Sequence, residues 1–377
     1  MDLKSVVQEA RDRLLGIDVV EDNPYAPQPY VFSELAACLC ASIRQLGFAD
    51  CKHVVNQVDQ DRLALVFMPN PGWESLVSRL NPRLTVLINL EQLGSESALI
   101  SNGYIDELAR WPVLDYSSAN IEFLRQRHGA KQLAFELPFV PGPAAIFRPA
   151  LAVEKSVDVL FFGTLSDRRS LIIEQLRAAG LSVEVVAGAY AWELSPAVMR
   201  ARMVLHIHYY ATKLFPISRM LQPVANGVPV VCETSVHAAL SDWSSSGMVF
   251  ADYEELVATC QALLHSPHRQ LDAVQRTLRF ARHLDFETPF MALLQGLSQR
   301  DAQTPAKVCA AAAGGGLSHE EIDTILRLEA TQLPPPADTR PAPIALAQRR
   351  PNDGRFGRIG MLIYLAFVLF SLWQTLK

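Results

Sequence analysis

The residues that could do chemistry gather at the ends of apolar runs. Val157 to Phe162 (VDVLFF) meets Gly163-Thr164 and then Ser166-Asp167-Arg168-Arg169. That pattern reads as a strand, a tight turn and a helix start. A glycine at a strand's end lets a ligand approach the backbone. Free N–H groups at the helix start, with Arg168 and Arg169 beside them, suit a phosphate. Neither GxGxxG nor Walker A spacing is present, so an ordinary strand-to-helix turn with solvated arginines is the plainer alternative. His206 and His208 alternate along a second apolar run, so both point to one face. Glu233 closes a third run, where its carboxylate can accept O–H bonds or cap the next helix. Glu91 and Asp115 close two strands of the first half. A carboxylate in such a place can take a hydroxyl's proton. It can equally tie a turn, as Asp115 could at Ser117–Ser118, or close two domains, as Glu91 could. Asn120 reads mainly as a turn-to-helix residue.

The elements that must carry these residues alternate. In residues 1–145 we expect strands at Arg62–Met68, Leu84–Leu90, Pro112–Asp115 and Leu133–Phe139. Helices fall at Phe32–Phe48, with Ser33 as N-cap, at Tyr104–Arg110 and at Ser118–His128. In residues 146–300 strands fall at Val157–Gly163, Ser182–Ala187, Met203–His208, Val228–Cys232 and Gly247–Phe250. Helices fall at Arg168–Ala179, Ser195–Arg200, Phe215–Asn226, Tyr253–Leu264 and His268–His283. Such alternation implies α/β units with parallel sheets covered on both faces. Two units joined by Pro141-Gly142-Pro143 leave a cleft at their strands' C-terminal ends, where ligands bind in such sheets.

Composition narrows the class. The formal charge of −5 leaves no nucleic-acid footprint. Cys38, Cys40, Cys51, Cys232, Cys260 and Cys309 are scattered, without CxxC or zinc spacing, and read as reduced, mostly buried thiols of a cytosolic body. The first 16 residues read as an amphipathic helix of mixed charge, not a secretory signal. Residues 301–357 form an Ala/Gly/Pro-rich linker. Residues 358–377 differ: Ile359 to Leu376 carries no charge and would span roughly 27 Å as a helix, close to a bilayer core. Arg349, Arg350, Arg355 and Arg358 precede it and Lys377 follows, so the expectation is a single transmembrane tail anchor in the inner (cytoplasmic) membrane with the bulk of the chain in the cytoplasm. A buried or oligomer-forming helix is the alternative.

The motifs, taken in order, carry a resemblance. DVLFFGTLSDRR (Asp158–Arg169) resembles the opening of the donor-binding domain in a group of GT-B-type bacterial and viral glycosyltransferases. LHIHYY (Leu205–Tyr210), KLFPISRM (Lys213–Met220) and VANGVPVVCE (Val224–Glu233) resemble that group's following strand, helix start and strand-and-turn. INLEQL (Ile88–Leu93) and VLDYSSANIEFL (Val113–Leu124) are similar to its first-domain motifs, and LPFVPG (Leu137–Gly142) stands at its crossover. The resemblance implies the GT-B fold, two Rossmann-like domains facing a cleft. Residues 1–145 would take the acceptor, of unknown identity, and 146–300 a nucleotide diphospho-sugar, with no obligatory metal and no other cofactor. Gly163, Thr164, Arg168, His208, Lys213, Arg219 and Glu233 would contact the donor, and Glu91 and Asp115 would serve catalysis. The chain departs from the pattern at Pro216 and Gln222, where relatives carry glutamates.

One island interrupts the linker. LSHEEIDTILRL (Leu317–Leu328) has capping-box spacing at Ser318 and Glu321 and a partly apolar face. LSHEEIDTIL resembles the N-terminal peptide of flagellar motor switch proteins, which implies docking to a response regulator. A capped stub helix without a partner is the plainer reading. With the missing glutamates, the island supports a rival expectation: a non-catalytic GT-B-like scaffold that recruits a response regulator or a flagellar or polar partner.

Overall fold

The apolar runs form two parallel sheets whose inner strands are largely buried on both faces, while strands at the sheet edges are partly open. A computed structural model describes residues 16–22, 31–94, 100–129, 134–136, 153–235 and 243–300. The first half runs β1 (Ile17–Glu21), α1 (Ser33–Gln45), β2 (Cys51–Val55), β3 (Leu63–Phe67), α2 (Trp73–Val77), β4 (Thr85–Asn89), α3 (Asn102–Leu108), β5 (Val113–Asp115), α4 (Ser118–His128) and β6 (Ala134–Glu136). Its sheet order is β2-β1-β3-β4-β5-β6, parallel throughout.

The second half runs β7 (Val157–Phe162), α5 (Asp167–Ala178), β8 (Val183–Val186), a single 3₁₀ turn (Ala191–Glu193), α6 (Ser195–Arg200), β9 (Ala201–His206), α7 (Ile217–Ala225), β10 (Val230–Glu233) and β11 (Val249–Ala251). A short 3₁₀ turn then leads to α8 (Leu256–Leu264), α9 (Pro267–Arg282) and α10 (Glu287–Arg300). The second sheet is also parallel, in the order β11-β10-β9-β7-β8. Both sheets belong to one compact unit. Its C-terminal helix α10 returns to the first half, where Phe290 meets Phe48 edge-on at 5.8 Å.

Several expectations change in detail. Phe32, not Ser33, holds the N-cap position of α1; the Ser33 hydroxyl donates instead to Glu21 Oε2 at 2.5 Å. The strand expected to reach His208 ends at His206, which frees the His208 N–H for a side chain. The helix expected from Phe215 begins at Ile217, because Pro216 takes a non-helical ψ of 71°. β1, β2, α2 and α10 were not expected at all. Five thiols, Cys38, Cys40, Cys51, Cys232 and Cys260, are free and buried, as read. Among the described residues no helix is long and apolar enough to cross a membrane. The segments 1–15, 137–152, 317–328 and 359–376, with the expectations attached to them, lie outside the described residues.

Candidate functional site

In the second sheet the chain winds outward from β7 in both directions. The C-terminal ends of β7 and β9 therefore flank a topological switch point, where parallel sheets hold ligands. Gly163 ends β7 with φ +126°, a conformation costly for any residue with a Cβ. A Cβ there would also strike the Arg219 guanidinium, which arrives from α7 and donates to the Phe162 carbonyl at 2.8 Å. Glycine is thus required twice, by the backbone and by the arginine lying over it. Burial pulls the Arg219 pKa down, while Tyr190 and Tyr210 nearby support its charge. Among the described residues no carboxylate pairs with it.

Arg169 is buried, not solvated. Its Nε and Nη2 donate to the Ile207 carbonyl at 3.0 and 2.6 Å, and its Nη1 to the Thr164 carbonyl at 2.7 Å. It staples the β7–α5 turn to the end of β9. Burial lowers its pKa to about 10, assisted by Arg219.

Arg168 makes a two-pronged pair with Glu233 and lies 3.9 Å over the Tyr253 ring. Glu233, wholly buried at the end of β10, also receives Lys213 Nζ at 3.0 Å and the His208 N–H at 2.9 Å. Burial pushes the Glu233 pKa up, but these donors outweigh it and hold the group below the usual carboxylate range. Its oxygens are occupied by the chain's own donors, so a ligand hydroxyl must compete for them.

The His206 and His208 rings meet edge-on at 5.1 Å, on one face as the alternation requires. Burial lowers His208 to about 4 and His206 well below its ordinary value, so both are neutral near pH 7. His206 Nε2 and His208 Nδ1 are buried without a partner among the described residues. Such groups lose about 1–3 kcal/mol each when nothing reaches them. Of the four cations at this end of the sheet, Arg168 and Lys213 pair with Glu233, while Arg169 and Arg219 are held by main-chain carbonyls. Two cations without a carboxylate of their own among the described residues suit an anion. Thr164 lies exposed at the turn between β7 and α5.

The carboxylates of the first sheet part company. Asp115 is wholly buried: Asn89 Nδ2 donates to it at 2.6 Å, Asn120 Nδ2 at 2.9 Å and the Ser117 N–H at 2.8 Å. Burial raises its pKa to about 7 against those three donors. Its position matches the turn-tying alternative, and it is sealed from any acceptor. Asn89 and Asn120 also bond the Glu91 main chain, and Asn120 Oδ1 receives the Leu93 N–H. The Glu91 side chain is partly open, and burial raises its pKa while Asn70 opposes the shift.

Hydrogen bonds run between the halves among the described residues. Thr212 Oγ1 donates to Gln92 Oε1 at 2.7 Å. Gln222 Nε2 donates to Glu34 Oε1 at 2.6 Å, and Gln222 Oε1 receives Ser195 Oγ at 2.9 Å and Asn226 Nδ2 at 3.1 Å. Gln222 is therefore spent on closing α7 against α1. A glutamate at this position would set two carboxylates against each other.

Sequence reading passed over Tyr253, Thr212, Gln92 and Glu34, and no local signal marks them. Glu21 and Asp22, at the first sheet's own switch point, did carry a signal: paired acids ending an apolar run. Glu21 is satisfied by Ser33, the Phe32 N–H and His53, and Asp22 pairs with Arg79. Among the described residues no cluster of His, Cys, Asp and Glu is set to hold a metal ion.

No protein-family model matches the chain. It is 23% identical over 236 residues to an uncharacterized protein of Acanthamoeba polyphaga mimivirus, covering 61% of this chain and 75% of that one. A second mimivirus protein is 24% identical over 200 residues, 50% of this chain and 26% of its own length, so the chain spans a minor part of it. Among solved structures, Anabaena HepE in complex with UDP-glucose is 11% identical with a TM-score of 0.49, covering 75% of this chain and 99% of that one. A glycosyltransferase from Rickettsia africae is 8% identical with a TM-score of 0.46, covering 76% and 100%.

Proposed function

We propose that the chain is a GT-B-type glycosyltransferase that moves a sugar from a nucleotide diphospho-sugar to an acceptor hydroxyl. The observation that carries this reading is Arg219: a half-buried cation over Gly163 at a switch point, without a carboxylate of its own among the described residues. The ordered sequence motifs on both sides point the same way. The acceptor oxygen would attack the anomeric carbon and give its proton to Glu91. The bond to the phosphate oxygen would break, leaving its electron pair on the nucleoside diphosphate. Arg219 and the N–H groups opening α5, which no N-cap side chain occupies, would meet that charge. Arg168 and Lys213, held by Glu233, would back them, with Thr164 at the rim and neutral, buried His208 beside Glu233. Burial raises the Glu91 pKa, the direction in which a carboxylate becomes a stronger base. Asp115 would act by holding the Glu91 loop through Asn89 and Asn120. The test is a panel of UDP-, GDP- and dTDP-linked sugars, with thermal shift and donor hydrolysis as readouts. Stabilisation by one nucleotide class is expected, and none at all would sink the reading.

The engagement of Gln222 by Glu34, with Pro216 nearby, favours a second reading: a non-catalytic scaffold of the same fold, recruiting a receiver domain through 317–328. Deleting that segment should then abolish pull-down of a phosphorylated response regulator, and unchanged recovery removes this reading. We further place the protein at the inner membrane through 359–376. Truncation there should move it to the soluble fraction.

A further inference from the structure

The segment Tyr209–Lys213 leaves the end of β9 and is fixed at both ends by the cationic pocket. The Tyr209 ring faces the Arg169 guanidinium at 5.0 Å. Lys213 holds Glu233 at 3.0 Å, and its N–H donates to the Tyr210 carbonyl at 3.2 Å. Lys213 sits at φ +48°, a left-handed conformation that a lysine keeps only where surrounding contacts impose it. Between these anchors Thr212 reaches out to Gln92 at 2.7 Å, in the loop after β4 of the other sheet. Gln92 directly follows Glu91, and that loop is itself rigid: Asn89 and Asn120 bond the Glu91 main chain, and Asn120 takes the Leu93 N–H. The contact therefore joins two stiff bodies, one carrying the cations and one carrying the Glu91 carboxyl.

We propose that Thr212 is a positioning residue whose hydroxyl, held by Gln92, sets the separation between Glu91 and the cations of the second sheet. The inference rests on the glycosyl-transfer reading given above. One neutral hydrogen bond on a partly exposed loop alters the fold little. A displacement of about 1 Å between reacting groups, by contrast, can slow a reaction by about 10²-fold. Thr212 should therefore act on turnover and not on nucleotide binding, since the cations stay in place when its hydroxyl is removed.

Thr212→Val removes the hydroxyl at nearly constant shape, and Thr212→Ser keeps it. Both are compared with wild type in the full chain. UDP, GDP and dTDP are the binding probes, and the donor most active on wild type is the turnover probe. Expected for Thr212→Val is a fall in kcat of about 30- to 100-fold, with KM for the donor and nucleotide Kd within about twofold. Thr212→Ser should recover most of the loss. Unchanged kcat in Thr212→Val overturns the proposal. So does a parallel loss of binding and turnover that serine fails to rescue, since that is what a merely structural contact would give. A wild-type chain that binds no nucleotide and turns over no donor removes the glycosyl-transfer reading itself and this proposal with it.

Discussion

Glu34 is the carboxyl whose titration tests how the two halves are held together. Its Oε1 accepts Gln222 Nε2 at 2.6 Å across the α1–α7 contact, and among the described residues no cation reaches it. Burial raises its pKa from 4.5 to about 7, and the Gln222 hydrogen bond offsets part of the rise. The sign follows from linkage. Below about pH 4.5 the group is protonated in folded and unfolded chains alike, and burial carries no electrostatic penalty. Between about 4.5 and 7 the unfolded chain releases the proton while the folded chain keeps it, so stability falls as pH rises. Above that window the penalty is constant. A shift of roughly 2.5 units at about 1.4 kcal/mol per unit puts its ceiling near 3 kcal/mol. Glu34→Gln removes the charge at constant size and can still present its amide oxygen to Gln222. Denaturant unfolding of both proteins across this range is the assay. The variant should gain on wild type steadily from about pH 5 to 7, by 1–3 kcal/mol in all, and hold that margin at higher pH. A difference that does not change with pH would refute the argument, because it would mean that Glu34 ionises in the folded chain as it does in water.

The remaining predictions bear on the second sheet. Gly163→Ala should abolish nucleotide binding in a thermal-shift assay, because its Cβ displaces Arg219 and its φ of +126° adds about 1–3 kcal/mol of strain; retained binding would show that Arg219 is not the phosphate contact. Glu233→Gln leaves Arg168 and Lys213 beside a neutral group and should lower stability by about 3–5 kcal/mol. The loss should shrink as pH falls below the usual carboxylate range, from the unfolded value of 4.5 down through the lower folded one. Gln222→Glu introduces the glutamate of the resembling pattern, yet it should gain no activity. It faces Glu34 and should lower stability at about pH 8 by at least 2 kcal/mol, with recovery on acidification.

What the sequence made legible and what it hid divide along one physical line. Runs such as LTVLIN and VDVLFF announce strands because burial leaves them mostly apolar, with one or two polar residues near their ends. β1, at the first sheet's switch point, was missed because IDVVE ends in an acid and is followed by another. Both acids are buried, and what makes that tolerable is a serine 12 residues on, a histidine on β2 and Arg79. No periodicity records partners of that kind. The same holds at the candidate site. Gly163 was visible as a strand-end glycine, but its reason, the guanidinium of Arg219 pressed over it, belongs to a helix beyond two further strands. In sequence the doublet Arg168-Arg169 reads as two equivalent charges, either beside a phosphate or solvated. The fold makes them unlike, one paired with Glu233 and one walled in by the carbonyls of Ile207 and Thr164. Gln222 is a further case. The sequence marks it as a departure from the resembling family, but not that its amide meets Glu34 at 2.6 Å, a carboxyl that no cation pairs among the described residues. A residue's type can therefore be read from the strand or helix it closes, but its task depends on what arrives from elsewhere in the chain.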